Sequence, residues 1–405
     1  MALSPSRERL PGAESGNRAP MTTTGSGLRR RVWVSAAVVT AATVMLSRPV
    51  EAQAPRGNPL FVAKPGAADP GVGVFEGRYR LTSTGAGIVR SSANLVQWRR
   101  DGPLFAPGKA PKWTKGRGRV GSPEIYQLPG RDGTGLQYVL LFSSQSRQTG
   151  KGCLGRATSS SRPHGFTADP EPLLCTHVDP SERAKRFSLI DPTFFKDPVG
   201  GGSYILYKRL TQRASPRRVS DIVIRAVQPD GGAPLGPAKR LIKADKRWEG
   251  ISVEAPTMIF RGGRYYLFYS GANYALDTYA VGVATSVREA NRPDGTFKKY
   301  GANPILAGQR GAAKSRFCGV GHQAVVNTGG DSWRILYHAY RNQRSRARTA
   351  KCGPPGSVLS RQRRYLMSDT LVFDQPNRRK EPGVWPRVNR GLPSGNGKPP
   401  GRYRP

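Results

Sequence analysis

The chain has 405 residues, enough for one large domain or two ordinary ones. Its 49 Gly and 35 Pro, with no window of sustained 3.6-residue apolar periodicity, exclude an architecture of long helices. A surplus of 65 basic over 26 acidic residues (net charge +39) implies attraction to polyanions that weakens with salt. The basic residues are dispersed and form no nucleic-acid-binding motif, so nucleic acid is set aside as a partner. An acidic polysaccharide such as pectin, or an anionic envelope, fits better, and genomic composition accounts for the charge equally well.

The N-terminus reads as a targeting segment. Arg29-Arg30-Arg31 precedes the apolar run Val32 to Leu46, and small residues at Val50 to Ala54 supply a cleavage site. An apolar run of about 15 residues is short for a membrane span. Residues 1–54 are therefore expected to be an extension and secretory signal, with no membrane span left after cleavage and the rest of the chain outside the cell. Four cysteines fit an exported protein. No Cys-x-x-Cys pair suggests zinc, and the local pairs Cys153–Cys175 and Cys318–Cys352 are the expected disulfides among three pairings.

From residue 55 the chain repeats one pattern. A β-rich strand carries an ionisable residue, a Gly-rich turn follows, and then an aromatic strand. The first copy runs from Ala68-Asp69-Pro70 through Phe75 to Arg78–Thr82. The second has Ser122-Pro123-Glu124 and then Gln137–Ser143, and the third Ile190-Asp191-Pro192 and then Tyr204–Tyr207. The fourth runs from Ser252-Val253-Glu254-Ala255-Pro256 over Gly262-Gly263 to Tyr265–Ser270. The fifth has Gly321-His322 and then Trp333–His338. Asp69, Glu124, Asp191, Glu254 and His322 thus recur about every 55 to 70 residues, which suits blades of four antiparallel strands. The expected fold is all-β, a five-bladed β-propeller in a single catalytic domain over 55–375. A basic Pro/Gly-rich tail, disordered, is expected over 376–405. With each marked residue on an innermost strand, the five side chains converge on one end of the central channel.

These motifs, with Tyr337-His338-Ala339-Tyr340 and the stretch ending at Trp98, resemble glycoside hydrolase family 43, the five-bladed arabinanases, arabinofuranosidases and β-xylosidases. The resemblance spans about residues 60–375. It implies Asp69 as general base, Glu254 as general acid, and Asp191 as the carboxylate that tunes and orients the acid. Inverting hydrolysis needs these types: a protonated carboxyl on the leaving oxygen and an ionised one holding water on the opposite sugar face. It implies no required cofactor. His322 matches a family histidine that binds a central calcium ion through water, or a water cluster alone; histidine is an unusual direct calcium ligand.

Trp113 and Tyr274, in loops, are candidates for stacking on sugar rings, whereas tyrosines alternating along a second strand suit inter-blade core. Glu124 is read as a rim or structural carboxylate near the substrate. Where the family has Trp-Ala-Pro in blade two, this chain has Gly121-Ser122-Pro123, and the Arg-rich stretch Arg341–Arg364 reads as a surface insertion in blade five. The implied protein is a secreted, monomeric, inverting glycosidase acting on α-L-arabinofuranosyl or β-D-xylosyl links of plant cell-wall polysaccharide. The alternative is a non-catalytic propeller that binds polysaccharide or an anionic envelope through its basic surface.

Overall fold

In a computed structural model, the described residues are 58–60, 66–116, 118–176, 187–211, 219–310, 313–341, 359, 362–373, 385–388 and 391–394. They form five antiparallel sheets. Blade I is β1 (Gly71–Phe75), β2 (Arg78–Thr82), β3 (Ile88–Ser92) and β4 (Arg99–Pro103). Blade II is β5 (Gly121–Pro129), β6 (Leu136–Gln145), β7 (Gly152–Ser159) and β8 (Thr167–Ala168). Blade III is β9 (Phe187–Lys196), β10 (Ser203–Thr211), β11 (Ser220–Ala226) and β12 (Lys239–Lys243). Blade IV is β13 (Val253–Arg261), β14 (Arg264–Gly271), β15 (Ala280–Ser286) and β16 (Phe297–Lys299), with β17 (Leu306–Ala307) also on β15. A ribbon of β18 (Gln309–Arg310) and β19 (Ala313–Lys314) follows. Blade V is β20 (Phe317–Gly329), β21 (Ser332–Arg341), β22 (Arg364–Phe373) and β23 (Pro386–Val388). The first strands of the blades touch in the order β1, β5, β9, β13, β20 and back to β1, so the ring is closed.

Each blade is covered on both faces, which explains why its middle strands are apolar almost throughout. In β14, Tyr266 and Phe268 pack toward blade V, while Tyr265, Leu267 and Tyr269 pack toward blade III. The two-residue strand period thus divides one sequence between two interfaces. The core is accordingly five apolar layers, one between each pair of neighbouring blades. Burying each large side chain in these layers contributes about 1.5–3 kcal/mol. Trp98 belongs to the layer between blades V and I, where its indole N–H donates to the Leu95 carbonyl at 3.0 Å.

Residues from both ends of the described chain fasten blade V. The Leu60 N–H donates to Leu366 O at 2.8 Å and the Ala67 N–H to Arg364 O at 3.0 Å. Buried Asn58 donates to the Ser368 carbonyl (3.0 Å) and accepts from the Ser368 N–H (2.8 Å). Farther along the same strand, β23 pairs with Leu371–Phe373, and Trp385 stacks on Tyr300 with centroids 4.5 Å apart. The expected boundary at 375 is therefore corrected for Trp385–Val388. A strand rich in Pro and Arg still completes the blade, because β22 offers an unpaired edge there.

The disulfide Cys153–Cys175 is present and ties β7 to the loop beyond β8. Cys318 is disulfide-bonded, and its expected partner Cys352 lies outside the described residues, as do the targeting segment and residues 376–384. No helix among the described residues is long and apolar enough to cross a membrane.

Candidate active site

Every blade places one non-glycine residue with positive φ near the head of its first strand: Asp69 (50°), Ser122 (46°), Asp191 (57°), Ala255 (51°) and His322 (51°). Side chains other than glycine tolerate this region poorly, and each instance costs on the order of 1–3 kcal/mol. Register shifts beside these positions in β5, β9, β13 and β20 mark bulges, which re-aim side chains toward the channel. By this backbone measure the equivalent of Asp69 in blade II is Ser122, not Glu124, and in blade IV it is Ala255, one residue after Glu254.

The first strands bring Asp69, Asp191, Glu254 and His322 to the wall of one cavity of about 1970 Å³, with Ser122, Lys208, Tyr274 and Arg364. Asp69 Oδ1 lies 2.7 Å from an Arg364 guanidinium nitrogen and 3.4 Å from Nδ1 of both His322 and His338. Burial opposes the ionised form of Asp69, but the His322 ring and the Arg364 guanidinium outweigh it, and its carboxyl is held well below the usual range. His338 is not a second cation there. Burial and Arg364 push it far below the usual histidine range, and its Nδ1 accepts the Asp69 N–H at 3.2 Å. Asp69 is thus an ionised carboxylate with a fixed backbone.

Asp191 accepts the Ser122 hydroxyl on Oδ1 (2.6 Å) and the Ala255 N–H on Oδ2 (3.2 Å). The second bond pins the backbone one residue past Glu254, so Asp191 orients the glutamate through the main chain. Burial raises its proton affinity first, and the charge of Glu254 raises it further. On Glu254, Oε1 accepts the Tyr279 hydroxyl at 2.7 Å, and Oε2 lies 2.5 Å from the Lys208 ammonium.

The remaining candidates separate. Tyr274 lines the cavity with 46% of its surface exposed, beneath the Arg364 guanidinium. Trp113 instead stacks on Phe142 (6.0 Å, 11°) against the core between blades I and II and is not part of the cavity wall, so its proposed sugar contact is corrected. Glu124 also stands off the wall. It bonds to the hydroxyls of Tyr126 and Thr193 between blades II and III, because its side chain leaves the strand two residues past the left-handed Ser122. Of its two expected roles, the structural one fits.

The carboxylate oxygen nearest the His322 ring is taken by Arg364, and among the described residues no group of three or more His, Cys, Asp or Glu is arranged to hold a metal ion.

Sequence reasoning missed Lys208, Tyr279, Trp248 and the role of Arg364. Arg364 opens β22 and reaches inward, which corrects its placement in a surface insertion. Trp248 lines the cavity, and its ring lies where a Cβ on Gly271 or Gly282 would stand (2.4 and 2.8 Å), so both positions require glycine. Comparing second strands between blades is the signal that would have found Lys208.

A search of curated protein sequences returned no match. Solved structures with the same fold include a thermostable family-43 glycoside hydrolase (24% identity, TM-score 0.60, covering 79% of this chain and 96% of that one). Others are an endo-1,4-beta-xylanase from Bacteroides thetaiotaomicron (22%, 0.58, 82% and 96%) and an alpha-L-arabinofuranosidase from Lactobacillus brevis (18%, 0.58, 83% and 96%). The sequence profile of glycosyl hydrolases family 43 matches residues 58–362, and with its five blades and their converging carboxylates the chain belongs to that family.

Proposed function

We propose that this glycoside hydrolase is a secreted monomer that cleaves α-L-arabinofuranosyl or β-D-xylosyl links of plant cell-wall polysaccharide with inversion. The observation that carries the reading is that carboxylates from blades I, III and IV line one cavity in three different electrostatic settings. In this mechanism ionised Asp69 takes a proton from water as its oxygen bonds to the anomeric carbon. The bond to the leaving oxygen breaks, and protonated Glu254 supplies the proton that oxygen needs. Asp191 fixes the acid's backbone, and Trp248 and Tyr274 offer faces for sugar rings. The xylanase and arabinofuranosidase folds above support the choice of sugars. No step passes through a metal or cofactor.

The test is hydrolysis of aryl α-L-arabinofuranosides, aryl β-D-xylosides, arabinan and arabinoxylan, with the first-formed anomer followed by proton NMR. Inverted arabinose or xylose is expected. A chain inert on all four, or one giving the retained anomer, contradicts the reading.

The cavity rim adds a preference among polysaccharides. Arg240, Lys243, Lys246, Arg247 and Lys298 are exposed along it, and none forms an ion pair among the described residues. Buried Glu249 braces this segment, accepting from the backbone of Asp245 and Lys246, the hydroxyl of Tyr269 and the ammonium of Lys299. Such a rim attracts uronate-bearing chains, and the attraction is screened at a Debye length of about 8 Å in physiological salt. KM for an uronate-substituted polysaccharide is expected to rise severalfold between low and high salt, while KM for a neutral aryl glycoside stays constant. Equal salt responses would remove the rim from substrate binding.

A further inference from the structure

One residue of each second strand stands opposite the residue preceding the left-handed position of the first strand. These are Thr84, bonded to Ala68 just beyond β2, then Ser143, Lys208, Ser270 and His338. Three of them accept the N–H of the left-handed residue in the next blade. Thr84 takes that of Ser122 (2.9 Å), Ser270 that of His322 (2.8 Å) and His338 that of Asp69 (3.2 Å). An ammonium has donors only and cannot do this. At the junction of blades III and IV the Ala255 N–H therefore goes to Asp191, and Lys208 points at Glu254 Oε2 (2.5 Å) and Ser252 Oγ (2.9 Å). Lys208 is buried, at 6% exposure. Burial disfavours its charge, but Glu254 and Asp191 more than restore it, so it is a cation at every working pH.

We propose that Lys208 is a positioning residue that holds the Glu254 carboxyl group by an ion pair and so governs the alkaline limb of turnover. The inference rests on Glu254 being the general acid. An acid must carry a proton, whereas an ammonium in contact with a carboxyl group favours its ionised form. The other groups facing the pair are few. Tyr279, just before β15, donates to the second oxygen of Glu254 and also favours the carboxylate. Asp191 on β9 acts in the opposite sense, His322 on β20 lowers the proton affinity of Asp191, and Tyr274 lies near Lys208. Each Glu254 oxygen therefore faces a donor.

The experiment is the pH dependence of kcat/KM for the wild type, Lys208→Met and Lys208→Arg on an unactivated oligosaccharide. The wild type is expected to lose activity on the alkaline side of its optimum. Lys208→Met is expected to carry that limb upward by about 1–3 pH units with KM changed only a few-fold, and Lys208→Arg to keep it in place. If the Met variant does not fold, Lys208→Gln, which retains a donor for Ser252, gives the same comparison. An unmoved limb, or a loss of kcat equal at every pH, reduces Lys208 to a packing role and overturns the inference. A wild type inactive on every glycoside overturns the functional reading instead, so the two failures are distinguishable.

Discussion

Glu254→Gln is expected to lower kcat/KM on an unactivated arabino- or xylo-oligosaccharide by about 10²–10⁴-fold, the usual contribution of a positioned acid. Hydrolysis of an aryl glycoside with a nitrophenolate leaving group should fall far less, because that group departs without a proton. Glutamine keeps its one acceptor oxygen for the Lys208 ammonium and turns its amide nitrogen to the Tyr279 hydroxyl, which can accept as well as donate, so the site keeps its shape while losing its acid. Comparing the two substrates separates lost chemistry from lost structure. Full activity of the variant on the unactivated substrate would remove Glu254 from the mechanism.

Asp69→Asn should be equally damaging, by about 10²–10⁴-fold, but on both kinds of substrate. Water must be activated whatever group leaves, so a better leaving group offers no rescue. The wild type should also keep its base working unusually far into acid. Burial alone would make Asp69 hold its proton, yet His322 and Arg364 depress its proton affinity below that of an unfolded chain. A group shifted in this direction contributes stability that is present above the ordinary aspartate range and is lost as pH falls through the lower folded value. The acid limb of kcat/KM and a component of thermal stability should therefore disappear together, below the pH at which free aspartate titrates. An acid limb within or above the ordinary range would show that Arg364 does not control Asp69.

Much of the architecture was legible because it is periodic. Strand–turn–strand units recurring five times give the number of blades, and the first-strand Asp, Glu and His residues mark the channel. The aromatic second strands were also legible as inter-blade core, since Tyr265 and Tyr266 alternate between two layers. Failures came where the period is local to a bulge. Glu124 looks equivalent to Asp69 along the chain, but the left-handed residue of its blade is Ser122, and two residues of offset turn the carboxylate away from the cavity. Trp113 failed because a loop tryptophan can reach inward as readily as outward, and here Phe142 offers it a face. Arg364 was hidden by its surroundings, a long run of arginines in which one guanidinium among many meets the base. Strand β23 was hidden by composition, because Pro and Arg argue against a strand that an open edge nonetheless recruits.

The bonds from Asn58 and Leu60 to β22 join segments separated by roughly three quarters of the polypeptide. The ring cannot shut until that last blade has emerged, so whichever blades condense first must wait with an exposed flank. Contacts this remote in sequence slow folding. A chain delivered gradually, whether from a ribosome or through a narrow pore, would remain unlocked until nearly all of it had arrived.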